Sequence, residues 1–159
     1  MKHLPLALLL TACPGSDDDP CKPGRDPTLL LGDGRDAFTD VEDGVTVDLV
    51  HGPQGGTHLE LGIAGTFLPG SKRTGVAWLR AVATGTVAGD QVAASNLSLG
   101  MRCDPPQGRV ESWTNLLVLD VPPDQVHDRD MLVEVDLLDE RDEIAVSASL
   151  TFHVLDPEL

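Results

Sequence analysis

Every second residue from Ile144 to Val154 is apolar. Ile144, Val146, Ala148, Leu150, Phe152 and Val154 share one side of an extended chain, and Ala145, Ser147, Ser149, Thr151 and His153 share the other. Side chains alternate across a strand, so this run reads as a strand with one buried face. A slip of one residue would put the whole apolar set in water, so all of that set is expected to face inward. The same period recurs at Val45, Val47 and Leu49, at Thr57, Leu59, Leu61 and Ile63, and at Val133, Val135 and Leu137. Weaker strands are expected over 76–88, 91–102 and 113–121; the first of these is Ala-rich and alternates poorly. Turn signals separate the runs: Gly32-Asp33-Gly34, Glu42-Asp43-Gly44, Gly52 to Gly56, Pro69-Gly70, Gly89-Asp90, Pro105 to Gly108 and Asp139 to Asp142. No long stretch keeps a helical period, and 124–130 has room for one short helical turn. In a chain of 159 residues this predicts one all-β domain, an antiparallel β-sandwich of seven to nine strands.

Charge narrows the partners. The chain has 11 Lys and Arg against 26 Asp and Glu, a formal net charge of −15. Binding to a phosphate backbone is carried by Lys and Arg, so a nucleic-acid partner is excluded on charge. With no Tyr, three Phe and two Trp, the composition also argues against stacking platforms for single strands and against sugar-binding surfaces built from exposed rings.

The N-terminus has the order of an export signal. Lys2 supplies positive charge, residues 4–10 are apolar apart from Pro5, and Thr11-Ala12 are small. The apolar run is too short to span a bilayer as a helix. Leu10-Thr11-Ala12-Cys13 resembles the lipobox of bacterial lipoproteins. The resemblance implies cleavage before Cys13, lipid on Cys13, and a lipid bilayer as the partner of that anchor. The alternative is an ordinary cleaved signal followed by a chance cysteine. Residues 1–12 are then the signal peptide, and 13–27, containing Asp17-Asp18-Asp19, an acidic flexible tether. Residues 28–157 are the folded domain. Pro14 follows Cys13 in place of the Asp that marks inner-membrane retention in enteric lipoproteins, which favours an outer-membrane location, facing the periplasm or the cell surface.

The strand pattern of 28–157, closing on a hairpin of Met131–Asp139 and Glu143–Leu155, is similar to bacterial immunoglobulin-like domains. The resemblance implies an Ig-like sandwich. It carries no activity, because function does not follow from architecture. The antibody-type cysteine pair and core Trp are missing from the sequence. Cys21 and Cys103 remain after cleavage into an oxidising compartment, which predicts one disulfide, with two free thiols as the alternative.

Candidate sites are few. His51 and His58 flank a Gly-rich hairpin and could begin a copper or zinc site completed by His127 or His153, although their parity sets them on opposite faces. Acidic clusters occur at Asp33/Asp36, Asp40/Glu42/Asp43, Asp124/Asp128/Asp130 and over 136–143. The last is the best calcium candidate, against a solvated acidic rim. There is no G-x-S-x-G and no H-E-x-x-H, so no catalytic residue is nominated and no cofactor is expected. The expectation is a non-enzymatic envelope lipoprotein presenting a sandwich for protein contact or envelope structure. The alternative is a periplasmic module binding copper, zinc or calcium.

Overall fold

The computed structural model describes residues 19–53 and 55–159. The lipobox, Cys13 and most of the acidic tether lie outside the described residues. The fold is all-β. Its strands are β1 (Thr28–Asp33), β2 (Thr39–Asp40), β3 (Val45–Asp48), β4 (Val50–His51), β5 (Thr57–Thr66), β6 (Val76–Val87), β7 (Asp90–Asp104), β8 (Arg109–Val118), β9 (Arg129–Leu138) and β10 (Ile144–Leu155). The described helix is a single 3-10 turn, Pro123–Gln125.

The expected antiparallel sandwich is corrected in two respects. The ten strands form one curled sheet, a half-barrel, in the order β2-β1-β5-β8-β7-β6-β9-β10-β3, with β4 added to β5. The sheet is also mixed, because β3 runs parallel to β10, pairing Val45 with Phe152 and Val47 with Val154. The physical reason lies at Leu49. The alternating run from Val45 to His51 serves two neighbours: β3 lies on β10, Leu49 N–H donates to Leu155 O at 2.7 Å, and β4 then pairs antiparallel with β5. Alternation states which face is buried; it does not state which strand lies alongside.

The buried face follows the period of two. Leu59, Leu61 and Ile63 of β5, Met131, Val133, Val135 and Leu137 of β9, and Phe152 and Val154 of β10 are all buried. Strand β6 does the same with small residues, burying Ala77, Leu79, Ala81, Ala83 and Val87. Alanine blurs the hydrophobic contrast, and so this strand reads poorly in sequence. Each fully buried Leu or Phe is favourable by roughly 1.5–3 kcal/mol, and this sets the register of the sheet.

Ile144 departs from the expected inward set, being 62% exposed. A bulge between Ile144 and Val146 sets Ile144 opposite Leu138 while Val146 sits opposite Leu137. One extra residue in a strand reverses the face of everything before it. The Gly32-Asp33-Gly34 turn signal is also corrected: Gly32 and Asp33 pair with β2 and β5. Gly34 has no side chain because a Cβ there would stand 2.2 Å from the Leu61 carbonyl.

The segment before β1 is held to the body. Cys21 and Cys103 are at disulfide distance, with Cα atoms 5.5 Å apart. Phe67 N–H donates to Pro20 O at 2.8 Å, Gly24 N–H to Phe67 O at 3.0 Å, and Arg73 bonds Asp19 at 3.0 Å. The end of the stretch read as tether, from Asp19 to Gly24, therefore packs on the domain.

Candidate functional site

Two places gather chemistry. The first is the hairpin of β4 and β5. Its register sets His51 opposite Thr57 and His58 opposite Val50, so the two histidines point to opposite faces. His51 Nε2 lies 2.8 Å from Asp156 Oδ1, and His51 Nδ1 lies 3.5 Å from Thr57 Oγ1. Asp156 is only 4% exposed. Its backbone N–H donates to His127 Nδ1 at 2.9 Å, and Glu158 N–H donates to its carboxylate at 2.9 Å.

The hydrogen bond to Asp156 raises the pKa of His51, against the opposing effect of burial, with the charges of Asp156 and Glu158 adding to the rise. Burial works to raise Asp156, but the bonds from Glu158 N–H and His51 and the nearby imidazoles hold it below the ordinary carboxylate value. Thr57, His51 and Asp156 have the order of a hydrolase triad. The Thr57 hydroxyl, however, is in a residue 8% exposed and sits at the outer limit of a hydrogen bond, facing the core. The cluster fastens the C-terminal residues 156–158 to the hairpin.

The acidic candidates disperse. Asp139 Oδ1 accepts the N–H groups of Arg141 and Glu143, at 2.7 and 3.0 Å, and these bonds lower its pKa. Asp142 pairs with Arg80, and Asp136 accepts the Ser147 hydroxyl. Asp40 binds Arg109, Asp43 accepts Thr151 N–H, and Asp33 accepts Arg35 N–H. His153 sits between Asp130, at 2.9 Å, and Asp128, at 3.3 Å; the Asp130 hydrogen bond, ahead of the opposing effect of burial, raises its pKa. Among the described residues no three His, Cys, Asp or Glu side chains converge as metal ligands. The structure thus brings His51 together with Asp156 and with neither His58 nor His153.

The second place was missed in the sequence. Strand β9 stops at Leu138, opposite Arg80, so Val76–Leu79 of β6 has no paired strand on that side among the described residues. The gap is a notch of about 820 Å³ between Pro69-Gly70, Lys72 and the turn Asp139 to Arg141. Trp78 lines it and is 71% exposed. Its six-membered ring leans over Gly100 of β7: a Cβ on Gly100 would come 3.3 Å from Trp78 Cζ3. The signal was present, since burial of Ala77 and Leu79 forces Trp78 outward; the alanines blur which face of the expected 76–88 strand is buried.

Neither a protein-family model nor a curated protein matches the chain.

Proposed function

We propose that this chain is a non-enzymatic envelope lipoprotein, anchored in a bilayer through lipid on Cys13, whose β domain is a contact module. The observation that carries the contact reading is Trp78, an indole held in water beside an open notch. Leaving a large aromatic exposed on a paired strand forgoes the free energy of burial, and Trp is enriched at interfaces, where its indole brings apolar area and an N–H donor. Lipidation rests on the register of Leu10-Thr11-Ala12-Cys13, and the polar residues 14–18 supply a spacer between bilayer and domain.

The finer reading of the domain is an opened immunoglobulin-like sandwich. Its support is the β7–β8 ladder, which covers only Arg102–Asp104 with Arg109–Glu111, plus one bridge from Ala93 to Leu119. In this reading the thin β7–β8 ladder is where a β2-β1-β5-β8 sheet would part from a β7-β6-β9-β10-β3 sheet. The non-enzymatic reading is supported by the His51–Asp156 pair, whose bonds hold the C-terminal residues and whose neighbouring hydroxyl is buried.

The anchor is tested by Cys13→Ser. The wild-type chain is expected in the membrane fraction after a salt wash and the variant in the soluble fraction, read by immunoblot. A variant that stays membrane-bound overturns the lipoprotein reading.

A further inference from the structure

The notch beside Trp78 gathers more cationic side chains than acidic ones on an acidic protein. The chain as a whole carries −15, yet Lys72, Arg80 and Arg141 line this opening. Among the described residues Lys72 and Arg141 have no ion-pair partner, and Arg80 is held by Asp142 and by the Asp139 carbonyl. Acceptors stand among these donors. Glu140 lines the notch, and Asp139 is fixed in its turn by two backbone N–H groups. An aromatic ring is therefore surrounded by hydrogen-bond donors and acceptors in nearly balanced charge.

That pattern selects an occupant. An anionic ligand would meet Asp139, Glu140 and the field of an acidic protein, and a cationic one would meet Lys72, Arg80 and Arg141. A peptide adding to the sheet needs a free edge, but the open edge of β6 runs only from Val76 to Leu79, below the commonest strand length of about five to six residues. A peptide anchored by one side chain needs a deep apolar hole, and of the notch's apolar residues Leu79 is already buried, which leaves Pro69 and the half-buried Leu138 at the rim. A sugar ring fits both halves of the pattern. Its C–H faces stack on an indole, and each hydroxyl both donates and accepts.

We propose that the notch is a saccharide subsite, in which an uncharged pyranose ring stacks on Trp78 and its hydroxyls bond Arg80, Arg141 and Glu140. Gly100 lets the indole lie close to the sheet, because a Cβ there would stand 3.3 Å from the ring and a larger side chain would push on it. The scarcity of aromatics excludes a broad sugar-binding face, while a single subsite needs one ring. The proposal rests on the contact-module reading and names the partner of the same face.

The test uses the full chain in a detergent without a sugar headgroup, carrying Trp113→Phe. Trp78 is then the remaining one of the chain's two tryptophans, and its fluorescence reports the notch alone. The titrants are neutral oligosaccharides of glucose, mannose, galactose and N-acetylglucosamine, with oligogalacturonate as the acidic arm and a casein digest as the peptide arm. At least one neutral oligosaccharide is expected to change the emission saturably. By calorimetry that affinity should fall by roughly tenfold in Trp78→Ala, with the melting temperature unchanged, and also in Gly100→Val, which keeps the indole but moves it. The proposal is overturned if no neutral sugar binds, if binding survives Trp78→Ala, or if only oligogalacturonate or casein peptides bind. Detergent-extracted envelope material separates the two readings. If it binds through Trp78 while no sugar does, the saccharide falls and the contact module stands; if it does not bind either, both fall.

Discussion

Burial disfavours a charge on Asp156, yet Glu158 N–H and His51 hydrogen-bond its carboxylate, while His127 accepts its backbone N–H. The direction of each shift fixes the pH response. His51 has a raised folded pKa, so its contribution is complete below the unfolded value of about 6.5 and is lost as pH rises through the folded value. Asp156 has a lowered folded pKa, so its contribution is complete above about 3.9 and is lost as pH falls through the folded value. His153, between Asp128 and Asp130, acts in the same sense as His51. The melting temperature should therefore fall between about pH 5.5 and about pH 8.5, and His51→Gln should flatten that fall, with His153→Gln removing more of it. Calorimetric melts at the two pH values check this; an unchanged slope in both variants contradicts it. In the core, Phe152 is 1% exposed, and Phe152→Ala should cost about 3–5 kcal/mol in denaturant melts. Thr151 contributes its backbone N–H to Asp43, which alanine keeps, so Thr151→Ala should cost about 0.5 kcal/mol or less. Equal losses would mean that the strand presents the opposite face.

At the scale of elements, β5, β9 and most of β10 are legible because Leu, Val, Ile and Phe alternate with polar residues. The first residue of β10 was misread because a bulge leaves no mark in an alternating pattern when Ala145 can fill either face. Strand β8 begins at Arg109 and ends at Val118, whereas the sequence predicts it over 113–121. Glu111, Ser112 and Asn115 are buried and polar, so hydrophobicity undercounts the strand. They are held by bonds that no local pattern announces, Ser112 to Asn115 and Asn115 to the Leu61 carbonyl. The covalent link between Cys21 and Cys103 spans 82 residues of sequence. Chain entropy gives such a loop about 4.5 kcal/mol, so Cys21→Ser with Cys103→Ser should lower the denaturant midpoint by a corresponding amount. A midpoint equal to that of the wild type would mean that the bridge adds nothing beyond the Pro20, Gly24 and Phe67 bonds.

For the whole molecule, the class of fold could be read and its closure could not. Alternation shows which residues turn inward, but the parallel pairing of β3 with β10, and the seam where β1 packs against β10 without pairing, are long-range choices. The same distance in sequence hid the partners of His51: its parity with respect to His58 is local, whereas Asp156 lies 105 residues away. Trp78 stayed hidden for a different reason, since Ala77, Ala81 and Ala83 bury a face too small to be noticed. The central claim is that the anchored domain makes its contact through Trp78. The most direct measurement is co-sedimentation of the full chain, in detergent, with detergent-extracted envelope material, so that no bilayer contributes to the binding. Wild type and Trp113→Phe should bind alike, and Trp78→Ala should bind about tenfold more weakly at an unchanged melting temperature. Binding by Trp78→Ala equal to that of the wild type, or no binding by the wild type, would contradict the account.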